Sequence, residues 1–163
     1  EVGAGVGITG LACHALGSHA LLTDGESRLV EHCRASHRAA AATSGRLRFA
    51  TLDWHADTLA EDDGPFDVIL GVEVLNPACE GEVHVPRVVA RRLSRAAGSR
   101  VLLLSEVRRV ETCATAVREL TAAGLLVAAF RVANGREAVE VPIEALVEVG
   151  ATLLIVATWC NKI

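Results

Sequence analysis

The sequence predicts a single α/β domain on an open, doubly wound and mostly parallel sheet, with an antiparallel hairpin at one edge. Three observations carry that expectation. Glycines stand at alternate positions in Glu1-Val2-Gly3-Ala4-Gly5-Val6-Gly7, a turn of the kind that joins a strand to a helix and lets backbone approach a nucleotide closely. Short apolar runs alternate along the chain with segments of helical periodicity. Several of these runs lead into an acid, at Asp24, Asp53 and Glu73, where an open α/β sheet presents its ligand-facing groups.

Each element follows in order. Ile8 to Leu16 is small and apolar, suited to a helix packed tightly on a sheet, and Gly17 stops it. Ala20-Leu21-Leu22-Thr23 reads as a buried strand ending at Asp24, and Glu26 to Ala42 as the next helix. Leu47 to Leu52 is strand-like and delivers Asp53-Trp54. After the polar turn Glu61 to Pro65, Phe66 to Leu70 is a strand leading to Gly71 and Glu73. Val83 to Ala97 is a helix around Val85, Val88, Val89 and Leu93, and Val101 to Ser105 is another buried strand. Glu111 to Ala123 is an amphipathic helix closed by Gly124. Leu125 to Val132 and Ala151 to Trp159 are the last strands, separated by a loop with a short helix around Ile143 to Val147. Since a glycine turn of this kind follows a strand, the expected sheet lacks its first strand within this chain.

Composition narrows the classes of function. At 163 residues and 51% hydrophobic, the chain supports one domain, residues 1–163, with a sizeable core. A net charge of −4 gives no global drive toward nucleic acid or an anionic membrane. Arg87, Arg91, Arg92, Arg95 and Arg100 crowd one region at a spacing that suits the wet face of a helix. Cys13, Cys33, Cys79, Cys113 and Cys160 are odd in number and form no C-x-x-C pair, which argues for reduced thiols in a cytoplasmic or nuclear protein. Cys33 and His37 share a helical face, but with no second ligand pair no metal site is expected. No apolar run is long enough to span a bilayer, and no signal peptide precedes the glycine turn.

The candidate site residues lie at the carboxyl ends of the strands. Asp24 lies at about the distance beyond Gly3 at which an acid reaches ribose hydroxyls; its alternative role is to cap the helix beginning near Glu26. Asp53 can accept a proton from an adenine amino group while the flat ring of Trp54 borders the base; a core Trp beside a capping acid is the alternative. Counted from Gly3, a G-x-G-x-x-G dinucleotide fingerprint would place its third glycine where Ile8 stands, so the spacing fits a nicotinamide cofactor poorly. No Ser-His-Asp or Cys-His arrangement is defensible from spacing, and His55 and His84 read as surface or capping histidines.

Glu1 with Gly3, Gly5 and Gly7 resembles motif I of the class I S-adenosylmethionine-dependent methyltransferases, a Rossmann-like fold. Four blocks in order, Gly3 to Ala12, Leu52-Asp53-Trp54, Phe66 to Leu75 and Leu103 to Arg109, resemble methyltransferase family 16, a branch containing many protein-lysine methyltransferases. The resemblance runs from Glu1 to about Val132 and implies S-adenosylmethionine as cofactor, with a protein, at lysine Nε, as acceptor. It assigns Glu1, Gly3, Gly5, Gly7, Asp24, Asp53, Trp54 and Gly71 to the cofactor. It makes Glu73 the start of an acid-x-x-aromatic motif beside the substrate. One position departs from the family: Asn76 stands where Tyr is common, and the chain contains no Tyr. Asn can hydrogen-bond an ammonium or an amide but supplies no aromatic wall.

Lysine as acceptor sets a specific task. With a reference pKa of about 10.4, the neutral amine at pH 7 costs roughly 4–5 kcal/mol. Desolvation and a nearby sulfonium lower that cost, whereas a carboxylate alone favours the charged amine, so Glu73 is expected to position the amine rather than to act as its base. Its alternative role is that of a strand-end acid bonded to backbone. Two other readings keep part of this frame: a small-molecule or non-lysine acceptor, permitted by Asn76, and a non-catalytic interaction module engaging a partner through the Arg-rich helix.

Overall fold

A computed structural model describes residues 1–38, 46–133, 137–142 and 150–159. They fall into two compact units, Glu1–Asp63 and Gly64–Ile163.

In the first unit, β1 (Ala20–Asp24) and β2 (Leu47–Thr51) pair in parallel, Ala20 opposite Leu47 and Asp24 opposite Thr51. The helices α1 (Ile8–Ala15) and α2 (Ser27–Ser36) pack on them. The predicted continuation of α2 to Ala42 lies partly outside the described residues. Leu22, Cys33 and Leu47 form the core, with Leu11 and Phe49 against them. Leu22 is 1% exposed, and burial of such a side chain contributes about 1.5–3 kcal/mol. The opening segment runs along the other edge of β1: Thr23 N–H donates to the Glu1 carbonyl at 2.9 Å, and Ala4 N–H to the Thr23 carbonyl at 2.8 Å. This bonding hangs the glycine turn on the carboxyl end of β1, next to Asp24.

The second unit is a five-stranded sheet in the order β3 (Val68–Val72), β4 (Arg100–Glu106), β7 (Thr152–Trp159), β5 (Leu125–Ala133), β6 (Glu137–Val141). Strands β3 and β4 are parallel, while β7 runs antiparallel between β4 and β5. Strand β6 falls in the segment read from the sequence as loop and short helix. Its residues are almost all exposed, so an edge strand of this kind leaves little hydrophobic alternation to read. The short helix expected around Ile143 to Val147 lies outside the described residues.

Helices α3 (Gly81–Arg92) and α4 (Val110–Ala122) pack on each other, with Val85, Val88, Val89, Ala116 and Leu120 buried. Helix α3 ends before the predicted Ala97 because the chain turns extended at Leu93 and pairs with Phe66. Phe66 N–H donates to the Arg92 carbonyl and Ser94 N–H to the Phe66 carbonyl, both at 2.8 Å. Of the crowded arginines, Arg87 pairs with Glu119 at 2.9 Å, and the Arg95 guanidinium stacks 3.2 Å from the Trp159 ring centre. No helix among the described residues is long and apolar enough to cross a membrane.

Candidate functional site

The glycine turn is fixed by two carboxylates. Glu1 Oε2 accepts the Gly10 N–H at 2.8 Å, and Asp24 Oδ2 accepts the Gly5 N–H at 3.0 Å. The other Asp24 oxygen accepts from Glu26 N–H, also at 3.0 Å. Asp24 therefore steadies the chain entering α2 and also braces the turn. Gly7 is the N-cap of α1 at φ 80°, and a Cβ there would stand 2.6 Å from Cys33 Sγ and 2.7 Å from Leu22 Cδ2. At Gly10 a Cβ would meet Leu22 Cγ at 2.6 Å and Glu1 Oε2 at 2.8 Å. Only glycine at both positions lets α1 settle onto β1.

Cys33 and His37, the pair sharing a helical face, both turn to the turn's backbone: Cys33 Sγ lies 3.5 Å and His37 Nε2 3.4 Å from the Val6 carbonyl oxygen. Burial pushes the Cys33 thiol above its ordinary value, and the Glu1 and Asp24 carboxylates add to that.

Leu52 N–H donates to the Asp24 carbonyl at 2.9 Å, which keeps the end of β2 in register with β1 and puts Asp53 one residue further on. The exposed Asp53 carboxylate accepts from His55 N–H at 2.9 Å and lies 3.1 Å from His55 Nδ1. The His55 backbone bond, then its ring, hold the Asp53 carboxyl below the ordinary carboxylate range. Trp54 is half-buried, and its Nε1 is enclosed with no hydrogen-bond partner among the described residues.

In the second unit, Gly71 sits in β3 opposite Leu103. Glu73 follows at φ 56°, a left-handed conformation that is strained for a side chain of this kind. Three contacts hold it. Its N–H donates to the Leu104 carbonyl at 2.8 Å, its Oε1 accepts from Glu106 N–H at 2.7 Å, and its Oε2 lies 3.4 Å from Arg108 Nη2. One Glu73 oxygen is thus backbone-bonded and the other faces a cation. Asn76 Oδ1 accepts from Ala78 N–H at 3.0 Å and caps a single turn, Pro77–Cys79. Glu73 and Asn76 line one cavity of about 460 Å³ together with Arg108, Arg109, Thr112 and Cys113. Burial raises the Cys113 thiol pKa, and the Glu73 charge adds to the effect.

Residues 1–82 of the 163 match the lysine methyltransferase family. The chain belongs to that family. Comparison with curated proteins gives no match. Among solved structures, the methyltransferase superposes on the glycopeptide N-methyltransferase MtfA complexed with S-adenosyl-L-methionine at a TM-score of 0.71 and 14% identity, over 98% of this chain and 80% of that one. The TehB-like SAM-dependent methyltransferase from Corynebacterium glutamicum gives 0.67 and 16%, over 98% and 78%. A chain in the complex of the Haloferax volcanii Trm112 methyltransferase activator with a putative methyltransferase gives 0.64 and 22%, over 96% and 80%. At these identities the likeness establishes the Rossmann-like fold of the methyltransferase.

Three residues beside the candidate groups escaped the sequence reading. Gly10 was within reach, because counted from Gly5 rather than Gly3 the pattern G-x-G-x-x-G is complete, with Gly10 as the glycine of close helix–strand packing. The glycine spacing therefore does not by itself separate cofactor classes. Arg108 and Thr112 carry no comparable signal, since only the turn into α4 brings them to the cavity of Glu73.

Proposed function

We propose that this methyltransferase transfers a methyl group from S-adenosylmethionine to a protein side chain, lysine Nε, residues 1–163 acting as one domain. The observation that carries the donor side is the carboxylate of Asp24. Each of its oxygens is engaged by one backbone N–H, and a carboxylate oxygen has a second lone pair, so two acceptor sites remain for a pair of ribose hydroxyls. The first unit fits the cofactor in two further ways. A Cβ on Gly5 would meet no atom within 4 Å, so the turn borders open space, and Trp54 carries an unmatched N–H.

In this reading Glu1, Gly3, Gly5 and Gly7 hold the methionine end, Asp24 the ribose, and Asp53 with Trp54 the adenine; Gly71 is assigned to the cofactor by the family resemblance. When bound, S-adenosylmethionine supplies a methyl group already activated on a sulfonium. Glu73 and Asn76 orient the acceptor, so that an uncharged nucleophile approaches in line. Glu73 is cast as a positioning group rather than as the base, because a carboxylate favours the charged amine; each of its oxygens has one partner, an N–H or a guanidinium, and keeps a lone pair for the acceptor.

A second reading, a small-molecule or non-lysine acceptor, is favoured by the cavity itself, which has no aromatic residue in its lining among the described residues. Similar structures include a glycopeptide N-methyltransferase and a precorrin-6y C5,15-methyltransferase from Geobacter metallireducens, so the fold serves varied acceptors. Transfer of a labelled methyl group into a cell lysate, followed by mass spectrometry, tests the proposal. Methylated lysine Nε is expected; label confined to small molecules would replace lysine with the second reading, and no label at all would remove both.

A further inference from the structure

We infer that the cavity of Glu73 and Asn76 recognises an acceptor amine with a carboxylate beside it; the inference rests on that cavity being the acceptor site. The polar groups there divide into those already bonded and those still open to a ligand. Asn76 has committed its carbonyl oxygen to Ala78 N–H, so what it offers a ligand is its NH2, a donor. Both Glu73 oxygens are engaged, by Glu106 N–H and by Arg108, and Arg108 also lies 3.9 Å from Glu106 Oε2. The two acids of the cavity share Arg108 as their ion-pair partner and keep acceptor capacity, a second lone pair on each Glu73 oxygen and the Glu106 Oε1, that suits the acceptor amine.

Arg109 is left over. It is exposed, lines the cavity, and makes no ion pair among the described residues. It is also the N-cap residue of α4, and its side chain caps no N–H, so the first-turn donors and the positive end of the helix dipole are not neutralised by a capping side chain. The first-turn acid, Glu111, is not part of the cavity lining. Thr112 supplies an independent indication. It is 9% exposed, lines the same cavity, and its hydroxyl has no hydrogen-bond partner among the described residues. That hydroxyl is not among the enclosed unmatched polar atoms, so it keeps access to the cavity and can donate to a ligand there.

The free donors are thus the Asn76 NH2, the Arg109 guanidinium, the Thr112 hydroxyl and the start of α4. The one cation among these donors, Arg109, makes no ion pair among the described residues. An ammonium alone gains little from such a set, whereas a carboxylate is matched by it. Two sources carry this chemistry: an acidic side chain next to the target lysine of a protein, or the carboxylate of a small amino acid.

The test uses the full chain with S-adenosylhomocysteine and three fluorescent nonapeptides, each with a central Lys flanked on both sides by Glu, by Gln or by Arg. Binding is read by anisotropy. The Glu peptide is expected to bind about tenfold tighter than the Gln peptide, with the preference fading in salt. Arg109→Gln and the isosteric Thr112→Val should each shrink it, and Arg109→Glu should turn it toward the Arg peptide. Displacement of the Glu peptide by free L-lysine but not by L-lysinamide assigns the carboxylate to a small acceptor; no displacement by either assigns it to a protein. Equal binding of the three peptides, no binding of any, or a preference untouched by the Arg109 and Thr112 variants overturns the inference. Methyl transfer is scored separately: preference without transfer to lysine sinks the lysine reading alone, and transfer without preference sinks this inference alone.

Discussion

Gly5 donates its backbone N–H to the Asp24 carboxylate at 3.0 Å, so the glycine turn and the end of β1 are one hydrogen-bonded piece. Replacing Asp24 by Ala should remove both the brace and the proposed ribose contacts. At about 1.5–3 kcal/mol for hydrogen bonds to a charged group, the loss corresponds to a ten- to hundredfold weaker S-adenosylmethionine affinity by calorimetry. Asp24→Asn retains one acceptor oxygen and should fall between. Unchanged affinity in Asp24→Ala would remove Asp24 from the cofactor site.

Steric contact governs Gly7 and Gly10. Gly10→Ala drives a methyl group into Leu22 and should destabilise the fold by about 1–3 kcal/mol, as overpacking does. Gly7→Ala adds the left-handed backbone penalty of about 1–2 kcal/mol. Combining Gly10→Ala with Leu22→Ala should recover part of the loss, a non-additivity that urea denaturation of the four-member cycle reads directly.

Glu73 is expected to matter for transfer and not for the donor. Glu73→Ala should leave S-adenosylmethionine affinity within about twofold and cut the transfer rate by about ten- to a hundredfold, a positioning loss. Glu73→Gln, which keeps a carbonyl for Glu106 N–H, should retain more activity. If Glu73→Ala abolished cofactor binding, its assigned role would be wrong.

Alkaline stability should belong to two thiols. Burial first, and carboxylate charge second, raise Cys33 and Cys113 above the ordinary 9.0. A raised value in the folded state gives a stability contribution that is fully present below the unfolded value and is lost as pH climbs through the folded one. Stability by urea denaturation should accordingly hold to about pH 9 and decline beyond it. The chain has no Tyr and, in Lys162, one lysine, so few other groups titrate there. Cys33→Ala and Cys113→Ala should each flatten the decline; a slope unaltered in both would assign it elsewhere.

The sequence was most legible where burial is strong. The strand Ala20 to Asp24 and the helix Glu111 to Ala123 appear within a residue of their expected bounds because their apolar positions are deeply buried. Strand β6 was missed because an edge strand buries almost nothing. Helix α3 was read too long because a pairing between Phe66 and Leu93, distant in sequence, overrides local periodicity. Within the site, Asp24 and Glu73 were visible as acids at strand ends. Their partners Gly5 and Arg108 are set by tertiary approach, and a turn read in the register of Gly3 obscured Gly10.

The chain has two tryptophans and no tyrosine, and Trp54 lies in one compact unit while Trp159 lies in the other. Its intrinsic fluorescence is therefore already sorted by unit. Trp159→Phe leaves Trp54 as the lone emitter, a reporter beside the proposed adenine site, and Trp54→Phe leaves Trp159 under the Arg95 guanidinium. Melting the two variants side by side would reveal whether the units lose structure at one temperature or in succession, with no label attached to the protein.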